Sequence, residues 1–250
     1  MAQAASPAQQ VSILVSDVPD SSPDALASGP TMADSTSIED CYSIISTYGL
    51  NAAFPESVRE LFQRHALEET PKSDDVAFQR SRWWTVLSNA TLLESAKSEA
   101  GRNGFFVEID NSCDDWDYER AADYLLARLR ELAQQHERVC LLSGGEVTVK
   151  VINGGVGGRN QQFALACAEQ IAGENITVLS AGTDGIDGNS LAAGAVVDGT
   201  TVSRAKERGL SPESYLAGFD ANRFFEALGD AVTTGPTGNN LRDLRILLAY

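Results

Sequence analysis

Residues 139–182 read VCLLSGGEVTVKVINGGVGGRNQQFALACAEQIAGENITVLSAG. Val139 to Leu142 is a short apolar run that stops at Ser143-Gly144-Gly145-Glu146, the pattern of a buried strand entering a glycine turn. Glu146–Ile152 alternates and reads as a strand. Glycines 154, 155, 157 and 158 then precede Arg159, and an apolar helix is expected from about Asn160 to Ala172. Ile176–Ser180 reads as another strand and ends in Gly182-Thr183-Asp184-Gly185-Ile186-Asp187-Gly188. Strand, glycine loop and helix in this order imply an α/β fold with a mainly parallel, helix-covered sheet.

The same alternation extends upstream. Val11–Val15 reads as a buried strand that runs into Ser16-Asp17-Val18-Pro19. Helical patterns cover Ser37–Tyr48 and Pro55–His65, and residues 66–81 are polar and read as an exposed loop. Trp83–Leu87 and Phe105–Ile109 read as strands on either side of a helix near Ala90–Asn103. A helical stripe over residues 117–136 places Ala121, Tyr124, Leu125, Leu129 and Leu132 on one face. Downstream, short helices are expected at 200–208, 212–217 and 222–228, then strands at Ala231–Thr233 and Leu244–Leu248. The change in glycine content places a domain boundary between residues 1–137 and 138–250. The first part reads as a partial doubly wound (Rossmann-like) parallel sheet, and the second as a smaller α/β domain.

Composition narrows the function. With 250 residues the chain can bury a core without disulfides. Its 19 basic and 35 acidic residues give a net charge of −16, which disfavours nucleic acid and anionic membranes as partners. The four cysteines (Cys41, Cys113, Cys140, Cys167) form no Cys-x-x-Cys pair. With no basic leader and no apolar run long enough for a membrane, this reads as a cytoplasmic protein with reduced thiols. Two histidines, His65 and His136, leave little room for a Ser-His-Asp triad. Neither a Gly-x-x-x-x-Gly-Lys-Ser/Thr loop nor a Gly-x-Gly-x-x-Gly fingerprint is present. The three tryptophans are expected to pack.

Three glycine loops carry candidate chemistry, each with a structural alternative. Ser143-Gly144-Gly145-Glu146 is either an anion cradle, with Glu146 facing a hydroxyl or metal, or a tight turn. At Gly157-Gly158-Arg159-Asn160, a cation stands at a helix start, where the dipole disfavours it. It meets either an anionic ligand, which its fork suits, or a structural carboxylate. Asp184 and Asp187 either hold Mg²⁺ partly through water or form Asp-Gly turns. Two weaker loops join them. Asp17 follows a strand and is either a base towards a hydroxyl or a capping residue. Thr237 and Asn239, in Thr234–Asn240, either touch phosphate or shape a turn.

Taken in order, SGGEVTVKV, GGVGGRNQQFALA, AGTDGIDGNSLAAGAVVDG and FFEALGDAVTTGPTGNNLRDLRILL resemble the MOFRL domain of class II glycerate kinases. The match spans about residues 139–248. Upstream, VSILVSDVPDSSPDALASGPT resembles that family's core loop. The resemblance implies transfer of the ATP γ-phosphoryl group to the 2-hydroxyl of D-glycerate with Mg²⁺ present. It implies that Asp17 orients or deprotonates that hydroxyl, and that Arg159 steadies the phosphoryl group or the carboxylate. Ser143, Gly144, Gly145, Glu146, Gly158, Asn160, Thr237 and Asn239 are then the phosphate- and substrate-side candidates, with Asp184 and Asp187 on the metal side. The site is expected between two domains. Family members begin with a further segment carrying a phosphate-facing lysine, which this chain is expected to lack. A separate N-terminal segment or a second copy of the chain is then the expected macromolecular partner. Hydroxypyruvate reductase and a non-catalytic remnant are the alternatives.

Overall fold

The computed structural model describes residues 1–19, 21–152 and 154–250. They form two compact units: Met1–Leu14 with Ser21–Val86, and Val15–Asp20 with Leu87–Tyr250. The division expected at 137/138 is therefore not where compactness breaks. Residues 87–137 belong with the C-terminal unit, because their strand and helices build the same sheet and core as residues 139–249.

The first unit contains helix α1 (Ala2–Ala5), most of strand β1 (Gln10–Val15), helices α2 (Ile38–Thr47) and α3 (Glu56–Gln63), and strand β2 (Ser81–Leu87) up to Val86. A reciprocal capping box starts α2: the Asp40 N–H donates to Ser37 Oγ, and the Ser37 N–H donates to the Asp40 carboxylate. Packing of α2 on α3 is aromatic, with Tyr42 edge-on to Phe62 at 5.7 Å. Strands β1 and β2 form a two-stranded sheet. Val11 and Ile13, expected to be buried, are 66% and 70% exposed. With one neighbouring strand, β1 lacks the cover that a wider sheet supplies.

In the second unit, α4 (Asn89–Arg102), β3 (Phe106–Ile109), α5 (Tyr118–Ala133), β4 (Val139–Ser143), α6 (Arg159–Gln170), β5 (Ile176–Gly182) and β6 (Gly194–Asp198) follow one another. Helices α7 (Thr201–Glu207), α8 (Pro212–Ala217) and α9 (Ala221–Leu228), then strands β7 (Ala231–Val232) and β8 (Asp243–Ala249), complete it. The helix expectations hold to within a few residues at each end.

The sheet order is β3-β4-β8-β5-β6-β7. Only β3 and β4 pair in parallel; β8 lies antiparallel to both β4 and β5, and β6 is antiparallel to β5 and β7. The mainly parallel sheet is thus corrected to a mixed one within the expected α/β class. The C-terminal strand returns and inserts between β4 and β5, a placement that strand–helix alternation does not specify. Two further corrections are local. Residues 146–152 form no strand; Thr148 makes an isolated bridge to Asp117. Strand β6 was not anticipated, because it opens with Gly194-Ala195 directly after Ala192-Ala193. Glycine is needed there for space: a Cβ on Gly194 would lie 1.9 Å from the Ser180 carbonyl oxygen.

All five residues of β4 are buried, and its side chains alternate between two cores. Val139 and Leu141 join Leu125, Leu129, Phe163, Val178 and Leu247 under α5 and α6. Cys140 and Leu142 meet Leu93 of α4 on the other face. At roughly 1.5–3 kcal/mol for each fully buried aliphatic or aromatic side chain, the α5/α6 face dominates the stability of this unit. Its rigidity holds the loops at the β4 and α6 ends in place.

Candidate active site

The loop after β4 does not offer a vacant anion cradle. Its three amides are already used: Gly144 N–H donates to Asn111 Oδ1 at 2.8 Å, Gly145 N–H to Asn89 Oδ1 at 3.1 Å and Glu146 N–H to Asp114 Oδ1 at 2.9 Å. Gly145 takes φ +77°, and a Cβ there would sit 2.5 Å from the Asp114 carboxylate. The glycines thus serve a tight turn packed on side chains. Ser143 is fully buried and its Oγ has no partner.

The start of α6 is also filled from within. Asp187 is buried and accepts the Asn160 N–H at 3.0 Å and the Gln161 N–H at 2.9 Å. The side-chain amides of Asn160 and Gln161 donate to the same carboxylate. Burial pushes the Asp187 carboxyl up from its ordinary range, and these N–H donors act against that shift. Asp187 is therefore the built-in anion of this helix start, which overturns its expected role as a metal ligand: both oxygens are spent. Gly158 explains the close approach of the two loops, since a Cβ on it would lie 2.4 Å from Asp187 Oδ1. Its neighbour Gly157 donates to Asn189 Oδ1 at 2.9 Å. Asn160 is buried, and its Oδ1 accepts from Ser180 Oγ at 2.6 Å, so it holds the helix and does not face a ligand.

Arg159 is different. Its Nε donates to Asp243 Oδ2 at 2.7 Å, and its Nη2 to Asp243 Oδ1 at 3.0 Å and Glu146 Oε1 at 2.8 Å. These bonds use three of the five guanidinium hydrogens. Among the described residues, none accepts from Nη1. The side chain is about one-third exposed, and it lines a cavity of about 680 Å³ together with Glu146, Gly158, Asp184, Asp187 and Asn189. Val149 and Phe219 supply an apolar side. The lining comes wholly from the second unit. Burial acts to lower the Arg159 pKa, but the bonds to Asp243 and the charge of Glu146 outweigh it and hold the group protonated.

Asp184 Oδ1 accepts from the Ile186 N–H at 3.1 Å in a short turn. Its second oxygen accepts no hydrogen bond from the described residues. Among the described residues, no group of three or more His, Cys, Asp or Glu side chains is arranged to hold a metal. A magnesium ion carried by phosphate oxygens needs only one or two protein carboxylates, and Asp184 fits that lesser role. Thr237 is tied to the same bend: its N–H donates to the Asp184 carbonyl at 3.0 Å and its Oγ1 to the Thr183 carbonyl at 2.7 Å. Thr237 thus shapes a turn. The Asn239 N–H donates to Thr237 Oγ1 at 3.2 Å, and neither residue lines the cavity. Asp17 is exposed and also lies outside that lining. The next two residues, Val18 and Pro19, line a smaller cavity of about 190 Å³ with Asn89, Asp114, Gly145 and Arg242.

Sequence reasoning passed over four charged residues. Arg242 makes a fork-to-fork pair with Asp114, at 2.7 and 2.6 Å. Asp243 and Arg245 are both fully buried on β8, and Arg245 Nη2 donates to Asp243 Oδ2 at 3.3 Å. The signal was the run Leu-Arg-Asp-Leu-Arg-Ile-Leu-Leu (241–248), in which charges alternate within a strongly apolar strand.

Relatives share this arrangement of elements. The MOFRL family matches residues 139–243, and a domain of unknown function, DUF4147, matches residues 1–63. A glycerate kinase from Macaca fascicularis is 34% identical over 99% of this chain and 74% of its own length. The chain belongs to the glycerate kinase family. A D-glycerate 2-kinase from Thermotoga maritima is 35% identical over 96% of this chain and 56% of its own length. A relative from Agrobacterium vitis, provisionally named a hydroxypyruvate reductase, is 36% identical over 99% of this chain and 57% of its own. The crystal structure of a glycerate kinase from Thermotoga maritima superposes with a TM-score of 0.86 at 34% identity, covering 100% of this chain and 59% of that one. The chain thus spans 56–57% of the length of the first relatives it matches. Among the described residues, no helix is long and apolar enough to cross a membrane.

Proposed function

We propose that the 680 Å³ cavity takes part in glycerate phosphorylation: the γ-phosphoryl group of ATP passes to the 2-hydroxyl of D-glycerate, giving 2-phosphoglycerate. The observation that carries this reading is Arg159, which lines the cavity and whose Nη1 has no acceptor among the described residues, while Asp243 and Glu146 hold the rest of the guanidinium. Phosphoryl transfer needs positioning and charge neutralisation more than covalent help from the protein. A cavity-lining guanidinium with two N–H donors unspent meets that need in an otherwise acidic chain. Val149 and Phe219 give the cavity an apolar side against which part of a nucleotide packs.

In this reading Arg159 steadies the transferring phosphoryl group. Asp184 is the carboxylate offered to Mg²⁺, which supplies charge neutralisation at the phosphate oxygens when bound. Asp17 orients or deprotonates the glycerate hydroxyl; its exposure and its place beside Val18 and Pro19 leave it free for a ligand. Such an enzyme works in the cytoplasm, where ATP and glycerate meet.

The test is an assay of ADP release from Mg-ATP and D-glycerate, with the product identified by phosphorus NMR. Production of 2-phosphoglycerate by the wild type and not by Arg159→Ala supports the reading. Turnover equal in the two, or 3-phosphoglycerate as the product, sinks it. Oxidation of a reduced nicotinamide by hydroxypyruvate, measured in parallel, reports on the reductase alternative.

A further inference from the structure

The pose of Arg159 is imposed by a residue that touches nothing in the cavity. Asp243 is fully buried and engages two edges of the Arg159 guanidinium. Such a fork fixes the plane of the group as well as its distance. With Nε on Asp243 and Nη2 shared between Asp243 and Glu146, Nη1 is the end left without an acceptor among the described residues.

A carboxylate in this position carries an electrostatic cost. Paired with Asp243 alone, Arg159 would present little net charge to a ligand, and in a weakly screened interior that loss is felt strongly. Arg245 sits on the other side of Asp243. It is fully buried, donates to Asp243 Oδ2 at 3.3 Å and to the Gly144 carbonyl at 2.9 Å, and its Nε has no partner. A buried arginine with an unsatisfied N–H is costly for the fold. Its charge offsets that of Asp243: the trio Arg245–Asp243–Arg159 together with Glu146, which also bonds Arg159, sums to zero, whereas without Arg245 the cluster would be net negative. The bond from Arg245 to Gly144 also ties the trio to the loop that carries Glu146.

We propose that Asp243 is the positioning residue for Arg159, and that Arg245 supplies the counter-charge that keeps the Arg159–Asp243–Glu146 cluster from turning net negative towards the cavity. The three side chains then form a built site for phosphate oxygens. This rests on the reading that the cavity receives a phosphoryl group, and it adds two residues that never contact it.

Arginine-labelled chain tests both parts, with inorganic pyrophosphate as the probe and Arg159→Lys to assign the signals. In the wild type, Arg159 should show a slowly exchanging Nε–H and resolved Nη resonances. In Asp243→Asn the Nε–H should exchange rapidly, and pyrophosphate should bind about tenfold or more weakly. Arg245→Met should weaken pyrophosphate to a similar degree while leaving the Arg159 Nε–H protected, and Arg245→Lys should restore binding. Averaged Nη signals in the wild type, or equal protection in Asp243→Asn, would overturn the positioning role; the first needs no variant to fold. Unchanged binding in Arg245→Met would overturn the counter-charge. A wild type that ignores pyrophosphate overturns the anion site itself. Pyrophosphate binding without any phosphoryl transfer to glycerate sinks only the kinase reading.

Discussion

Asp187 and Gln161 are joined twice, through the Gln161 backbone N–H at 2.9 Å and its side-chain amide at 3.0 Å, so helix α6 begins on a buried carboxylate of its own chain. The bend at 182–188 and the helix after Gly157-Gly158, which look like two separate ligand loops in the sequence, are one packed unit. That unit sets the height at which Arg159 leaves the helix.

Asp187→Asn should therefore act on stability. The substitution removes the charge and sets an amide NH₂ against two of the four donors, while the remaining oxygen still accepts from the other two. A loss of about 3 kcal/mol is expected, or a fall of roughly 6–12 °C in melting temperature for a unit of this size. Thermal melting without magnesium checks it. An unchanged melting curve, with only the magnesium dependence of activity altered, would return Asp187 to the metal site.

Arg159→Lys keeps the charge but cannot make the fork with Asp243 and reach the cavity at once. We expect kcat/KM to fall by about 100-fold or more, as for other lost electrostatic clamps on a transferring group. Arg159→Ala should fall further and also lower stability, because Asp243 is then left buried with Arg245 alone. Steady-state kinetics and melting of the two variants separate these effects.

Glu146 gives a pH signature. Burial raises its carboxyl above the ordinary 4.5, with the neighbouring Arg159 charge pulling the other way. The folded chain thus binds this proton more tightly than the unfolded chain does. The stability from that proton is present below the ordinary value and is lost as pH rises through the folded value. Glu146→Gln removes the group while leaving an oxygen for Arg159. The stability of wild type relative to this variant should be greatest in acid and shrink as pH rises from about 4.5 towards neutrality. Denaturant melts across that range test it, and a difference that grows with pH would contradict the assignment.

The cysteines should divide one against three. Cys41 is exposed, whereas Cys113, Cys140 and Cys167 are buried. Burial pushes the thiols of Cys113 and Cys140 up to about 11, far from the thiolate range at neutral pH. A thiol reagent at pH 8 should modify one group quickly in the native chain, and all four only in denaturant. Fast reaction of a second thiol would show that one of the two cores beside β4 opens readily, the α4 side for Cys140 and the α5/α6 side for Cys113 or Cys167.

The helices and most strands were legible because their signals are short-range. Ser37 with Asp40, Ser88 ahead of α4 and Asp117 ahead of α5 announce helix starts within three residues. The apolar run Leu244–Leu248 announces a strand, although Asp243 and Arg245 take two of its buried positions while Leu244, Ile246 and Leu248 are only half-buried. Strand β6 was missed because small residues that permit close pairing carry weak strand signals. The span 146–152 was misread because an alternating pattern does not supply a neighbouring strand.

The candidate site was legible in its parts and misread in its roles. Glycine loops and carboxylates appear in sequence as places for a ligand. In the fold, Asn89, Asn111, Asp114 and Asp187 occupy the amides that a phosphate was expected to meet. Arg159 lines the cavity, and its Nη1 has no acceptor among the described residues.

By itself the sequence determined the α/β class, the order of helices and the family, since each rests on local periodicity or on motifs in a fixed order. Only the tertiary structure decided that β8 enters the sheet between β4 and β5. That insertion brings Asp243 to Arg159 across 84 residues and Arg242 to Asp114 across 128. Pairings at such separations depend on which strand edges meet and which charges are buried together, and no short stretch of chain contains that information.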